Sequence, residues 1–323
     1  MATYKGIQGY TVQKLTDDPT ASVADGQLWY NSTSGAFKVG TASAGAWAAG
    51  GSFNAARSGR GSAGPNSATI MFGGWQPTAS AQAETEEYDG STWTEVNNLV
   101  SARGSACSAV NGTQTAALCI NGNPSPSNEV EKWNGTSWTE VGDTTVDHSY
   151  CRGAGTSTAA LAIGDSGPTR ASVESYNGTA WTEVNNLTAP RYFNMAAGTQ
   201  AAALNFGGDS PPPVFVNATE SWDGTCWTAT NGLNTARATG GGAGLQTAAL
   251  CVAGNTPTYT AKTEKWDGTS WTEVADLATA RIRVGTSGTS AASIAGGGQT
   301  PPVVATVEIW TDPVYTTKTV TVS

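Results

Sequence analysis

The chain has 323 residues, 40 of them glycine, with 16 basic against 25 acidic side chains and a formal net charge of −9. That sign argues against non-specific nucleic-acid binding, which rests on Lys and Arg neutralising phosphates, and no apolar run approaches the ~18 residues of a membrane-inserted helix. With only 13% charged residues, the surface must be largely Ser, Thr, Asn and Gly, which suits a durable extracellular or virion protein.

Residues 1–45 share no pattern with the rest of the chain. Met1–Tyr10 lacks the charged-then-apolar text of an export signal, so synthesis in a cytoplasm without classical export is expected. Asp25–Val39 reads as two short strands around an Asn-Ser-Thr-Ser-Gly turn. A lone hairpin is marginal in water, and this one carries Leu28, Trp29, Tyr30 and Phe37. These side chains need cover, either from the body of the protein or, as an attachment interface, from another protein.

From Trp47 onward one unit recurs. Its clearest copies are Thr85-Glu-Glu-Tyr-Asp-Gly-Ser-Thr-Trp-Thr-Glu-Val96 and Thr263-Glu-Lys-Trp-Asp-Gly-Thr-Ser-Trp-Thr-Glu-Val274. The second aromatic falls at Trp93, Trp138, Trp181, Trp227 and Trp271, in steps of 45, 43, 46 and 44 residues. A period near 44 matches one four-stranded propeller blade. Ten residues after each Trp stands Arg103, Arg191, Arg237 or Arg281, with His148 in the second copy; Trp47 and Arg57 repeat the same spacing. A small-residue run then leads to an apolar run ending at glycine, as expected of strands buried on both faces. A variable loop, the Glu-x-Tyr/Trp strand and an Asp-Gly or Asn-Gly turn come next; the turn supplies the positive φ of a hairpin reversal. Asn134 and Asn177, though within glycosylation-type triplets, are expected to be such turns.

The first copy lacks its beginning and the last, at Glu308-Ile-Trp310, lacks its end. Joining them in one sheet gives five continuous units and one shared. The C-terminal Val314–Ser323 alternates Thr and Val and either finishes a blade or joins a neighbouring subunit in a homo-oligomer. The expected division is 1–45 as attachment segment, 46–311 as the ring and 312–323 as a terminal strand.

The double glycine, the Glu-x-Tyr/Trp, the second Trp and the Leu-x-x-Ala-Arg of Leu277–Arg281 resemble the kelch repeats of galactose-oxidase-like propellers over roughly residues 47–310. The resemblance implies an all-β, six-bladed kelch-like β-propeller closed by an N-terminal strand. It also implies a ligand face built from the connections between blades and the loops after the double glycine. Arg57, Arg103, Arg191, Arg237 and Arg281 would then surround one channel mouth, where they either grip an anionic ligand or tie blades through backbone carbonyls or a repeat glutamate such as Glu131. Trp75, Phe215 and Tyr259 on the variable loops would serve as stacking surfaces. Separately, the Gly-x-Leu-Trp-Tyr-Asn text around Trp29 resembles tail-fibre and related structural proteins of tailed phages.

Copper radical oxidases exist among kelch-like propellers, but their site needs at least two histidines and this chain has only His148. No metal or cofactor is expected, and His148 is expected to be a surface or inter-blade residue. The five cysteines contain no Cys-x-x-Cys pair and read as small buried hydrophobes. The expected function is therefore a non-enzymatic structural protein of a tailed-phage virion, associated with tail or fibre. It would hold other virion proteins through residues 1–45 and a host-surface glycan or receptor through the ring. Alternatives are a carbohydrate-active enzyme (sialidase-like or depolymerase), a capsid decoration protein and an intracellular kelch scaffold.

Overall fold

The computed structural model describes residues 12–19, 26–42, 44–124, 128–165, 171–212 and 214–320, in two compact units, one of residues 1–45 with 312–323 and one of 46–311. Met1–Tyr10, with the expectation about export, and the middle of the loop after Asn123 lie outside the described residues. Among those described, all helical or extended structure is β-strand.

The larger unit holds six four-stranded antiparallel sheets. The first is Gly61–Ala63, Ile70–Phe72, Thr85–Tyr88 and Trp93–Val96, and the second is Cys107–Ser108, Leu118–Ile120, Val130–Trp133 and Trp138–Val141. The third and fourth begin at Arg152–Gly155 and Met195–Gly198, and the fifth at Gly241–Leu245. The sixth is Gly285–Gly288, Ala292–Gly296 and Val307–Thr311, with Ala46–Ala49 from the other end of the unit as its fourth strand. There Trp47 stands opposite Trp310, as Trp93 stands opposite Tyr88 and Trp271 opposite Trp266.

Small residues let the sheets approach one another. A Cβ added at Gly153 would lie 2.4 Å from the Ser108 carbonyl oxygen, and one at Gly242 would lie 2.3 Å from that of Ala196. The first strand of each sheet accordingly lies beside that of the next, and Gly285–Gly288 lies beside Gly61–Ala63. Further out, aromatics fill the wider gap. One apolar cluster lies between each pair of neighbouring sheets, such as Ile70 and Phe72 with Trp133 and Trp138; another joins Ile294 and Val307 to Met71 and Trp93. Within each sheet the paired rings are in contact, with centroids 4.9–5.6 Å apart.

The hairpin turns follow the Asp/Asn-Gly chemistry. Asp89 accepts from the Ser91 and Thr92 amides at 2.8 Å, and Asn134, Asn177, Asp223 and Asp267 accept in the same way from the residues two and three ahead. These donors hold the carboxyls of Asp89, Asp223 and Asp267 below the usual carboxylate range.

The smaller unit is a four-stranded sheet in the order Gln13–Leu15, Leu28–Asn31, Ala36–Ala42 and Tyr315–Thr319. The C-terminal strand, expected to finish a blade or join a neighbour, instead forms the edge of this sheet, with Thr317 opposite Gly40. Residues from both ends of the chain thus build one unit, in place of a separate tail at 312–323. Trp29 is buried and its Nε1 donates to Asp18 Oδ1 at 3.2 Å. This corrects its assignment to an attachment interface, because the hairpin read in isolation had neither its flanking strands nor Asp18. Leu28 and Tyr30 are half-buried, and Phe37 remains exposed, packed edge-on against Tyr30 at 5.2 Å.

Candidate functional site

The arginines do not form a ligand-binding ring. Arg57, Arg103, Arg191, Arg237 and Arg281 are at most 4% exposed. Each directs Nη2 to the glutamate of its own sheet: Arg57 to Glu86 at 2.6 Å, Arg103 to Glu131 and Arg237 to Glu264 at 2.5 Å, Arg281 to Glu308 at 2.7 Å, and Arg191 to Glu220. Nη1 donates to the carbonyl two residues before that glutamate, at 2.7–3.1 Å. The same carboxylate accepts, at 2.7–2.9 Å, the amide three residues before the arginine: Asn54, Val100, Thr188, Asn234 and Ala278. Each connection between sheets is therefore folded down onto the next sheet by one buried carboxylate, and the guanidinium lies beneath it, out of reach of a surface ligand.

The second copy keeps this plan with different chemistry. His148 is buried, not on the surface; Nδ1 lies 2.9 Å from the Gly164 carbonyl oxygen and Nε2 lies 3.4 Å from Glu174. Glu174 also takes the Thr145 amide at 2.9 Å. Burial pushes the Glu174 carboxyl up, but the adjacent His148 ring and the Thr145 donors outweigh it and hold the group below its ordinary value.

The outer tryptophans tie sheet to sheet wherever the preceding repeat supplies a hydroxyl. Trp138, Trp271 and Trp47 donate Nε1 to Thr85, Thr219 and Thr263 at 3.0–3.1 Å, and Trp93 donates to the Gly51 carbonyl oxygen. Where Val130 and Val173 replace that threonine, the indoles of Trp181 and Trp227 meet no acceptor. A buried donor stripped of its partner costs roughly 1–3 kcal/mol. Thr219→Val, nearly equal in shape, should therefore lower unfolding stability by about 1–2 kcal/mol, measured by denaturant melts; an unchanged midpoint would show that the Trp271 bond contributes nothing.

The feature most suggestive of ligand contact lies two residues beyond each Arg or His148. Gly59, Ser105, Tyr150, Phe193, Thr239 and Arg283 all have left-handed backbone, with φ between 51° and 64°. Only the first is glycine. Such a conformation costs an L-residue roughly 1–2 kcal/mol, yet bulky rings occupy it at Tyr150 and Phe193. Those rings touch at 4.6 Å, and Tyr192 joins Phe193 at 4.9 Å, all three half-buried. Asn123 Nδ2 donates to Tyr150 Oη at 3.3 Å, and Asp209, whose carboxyl burial pushes up, pairs through its backbone with Tyr192 on one side and Phe215 on the other. An aromatic surface with an amide at its border thus runs across the connections into the third and fourth sheets.

Of the three expected stacking residues, Phe215 is half-buried and reaches this region only through its backbone pairing with Asp209, without a ring contact to the cluster among the described residues. Trp75 is half-buried: its ring occupies the space a Cβ at Gly104 would need, and Nε1 donates to Ser105 Oγ at 3.1 Å. Tyr259 is half-buried on the fifth sheet, and no ring contact joins it to the others among the described residues. Sequence reasoning missed Tyr150, Tyr192 and Phe193, although Tyr192-Phe193 directly after Arg191 departs from the small residues that follow Arg57, Arg103 and Arg237.

Four cysteines are buried and Cys226 is exposed on the turn of Asp223. Burial pushes the Cys119 thiol up to about 12 and that of Cys251 to about 11, so both are inert at neutral pH. No protein-family model matches the chain, and a search of curated proteins finds no significant match.

Proposed function

We propose that residues 46–311 are a six-bladed, kelch-like β-propeller, closed where Ala46–Ala49 completes the sheet of Trp310, and that the protein is a non-enzymatic structural and adhesive component of a tailed-phage virion. The ring reading is supported by the apolar cluster between the sixth and first sheets and by the Gly59 amide donating to the Arg283 carbonyl at 2.8 Å. The phage reading rests on the resemblance of the Leu28–Phe37 text, and attachment falls to the exposed Phe37 and Tyr315 of the small sheet.

The observation that carries the adhesive reading is the contact of Tyr150, Tyr192 and Phe193, two of them held in strained backbone. Aromatic faces bordered by the Asn123 amide suit the apolar faces and hydroxyls of a sugar. With the repeat arginines engaged in ties, a neutral host-surface glycan fits this surface better than an acidic one.

Phe193→Gly tests this. Glycine relieves the left-handed strain, so thermal stability should hold while adsorption to host cells falls at least tenfold. A lowered melting temperature with unchanged adsorption per folded molecule would make the rings a packing device. The virion assignment fails if mass spectrometry of purified particles does not detect the chain.

A further inference from the structure

Three further arginines stand apart from the repeat ties. Arg60 is 5% exposed and leads into the first strand of the first sheet. Its guanidinium lies 3.6 Å over the Phe53 ring, and Nη2 donates to the Ala55 carbonyl at 2.8 Å and to Glu86 Oε1 at 3.3 Å. That carboxylate oxygen is already held by Arg57 at 2.6 Å, and Arg60 Nε and Nη1 are buried with no acceptor. Arg152 opens the third sheet and makes only carbonyl contacts, to Cys151 at 3.2 Å and across to Gly240 of the fifth sheet at 3.5 Å. Arg283, entering the sixth sheet, has a buried Nε without acceptor, and no carboxylate among the described residues pairs with Arg152 or Arg283.

Arg60 and Arg152 line one cavity of about 20 Å³ with Ser62, Ser108 and Thr286. Space of that size holds one water-sized occupant. Cations short of counter-charge in a confined space are costly: Arg60 shares one carboxylate with Arg57, the half-buried Arg152 has carbonyl partners only, and the other repeat carboxylates are committed to the connections. Burial, and to a lesser degree the neighbouring Arg283, lowers the proton affinity of Arg152; burial and Arg57 bring Arg60 down to about 9.

We propose that this cavity, between Arg60 and Arg152 with Arg283 beside it, is a binding site for one small monovalent anion, of the size of a halide or a single carboxylate group. The anion accepts from the Arg60 N–H groups that lack an acceptor and supplies negative charge to Arg152, which Arg283 repels. Larger groups such as phosphate exceed the space.

The test is thermal unfolding of the full chain in sodium chloride, bromide, formate and gluconate at equal ionic strength, gluconate being too large to enter. The melting temperature should rise saturably by several degrees in chloride and bromide over gluconate, and formate decides whether a carboxylate is admitted as well. Arg152→Gln should abolish the anion-specific gain. Should that variant not fold, Arg283→Gln, at a partly exposed position, should reduce it. Equal melting temperatures in all four salts would overturn the proposal, as would an undiminished chloride response in the folded variant.

Discussion

Arg237→Ala should lower unfolding stability by about 3–5 kcal/mol, on the order of 10 °C in melting temperature. The substitution strands Glu264 with no cation, and a buried carboxylate left unpaired is penalised far beyond the small net value of the intact pair. It also removes the donor to the Lys262 carbonyl. Arg237→His should cost less, because His148 already holds Glu174 in the third sheet. Differential scanning calorimetry of the two variants checks the order. Host adsorption of the folded fraction should be unchanged in both; a loss of adsorption at constant stability would return the arginines to a ligand-binding role.

Removing the Trp47 strand should have a larger effect still. A chain of residues 46–311 should unfold in one cooperative transition, whereas one of 51–311 should be recovered mainly as aggregate. The shorter chain loses the Trp47–Trp310 contact and the Trp47 bond to Thr263, and it exposes Val307–Thr311 as an unpaired edge. Exposed, partly apolar edges are templates for association. Equal solubility and equal cooperativity of the two chains would mean that the sixth sheet does not depend on its fourth strand.

The repeat made most of the strand content legible, because short apolar runs, the Asp/Asn-Gly turns and paired aromatics are local signals. It placed Trp47 as the partner of Trp310 because the spacing to Arg57 matched the other copies. Depth was harder to read. The arginines stand in register whether they line a mouth or lie under a connection, and only the backbone folding over them decides burial. One clue was present: the second copy gives up its arginine for His148 yet keeps Glu174, as expected if the carboxylate has work beyond the arginine, namely the Thr145 amide. Trp29 was misplaced for a different reason. Its cover includes a bond to Asp18, and its sheet is completed by Tyr315–Thr319, more than 270 residues away in sequence. The Tyr150–Phe193 contact joins two connections whose left-handed backbone no glycine marks; of the six equivalent positions only Gly59 is glycine.

The central claim, that the two ends of the larger unit meet in one sheet and close a ring, is most directly tested by a cross-link. Ala48 and Ile309 are register partners, and antiparallel partners lie about 4.5–5.5 Å apart between Cα atoms, within disulfide range. In a Cys226→Ser background, which removes the exposed thiol, the double variant Ala48→Cys and Ile309→Cys should oxidise to an intramolecular disulfide in nearly every molecule. Closing so long a loop should also raise the melting temperature. Thiols that stay free under oxidant, or cross-links that form only between molecules, would contradict closure.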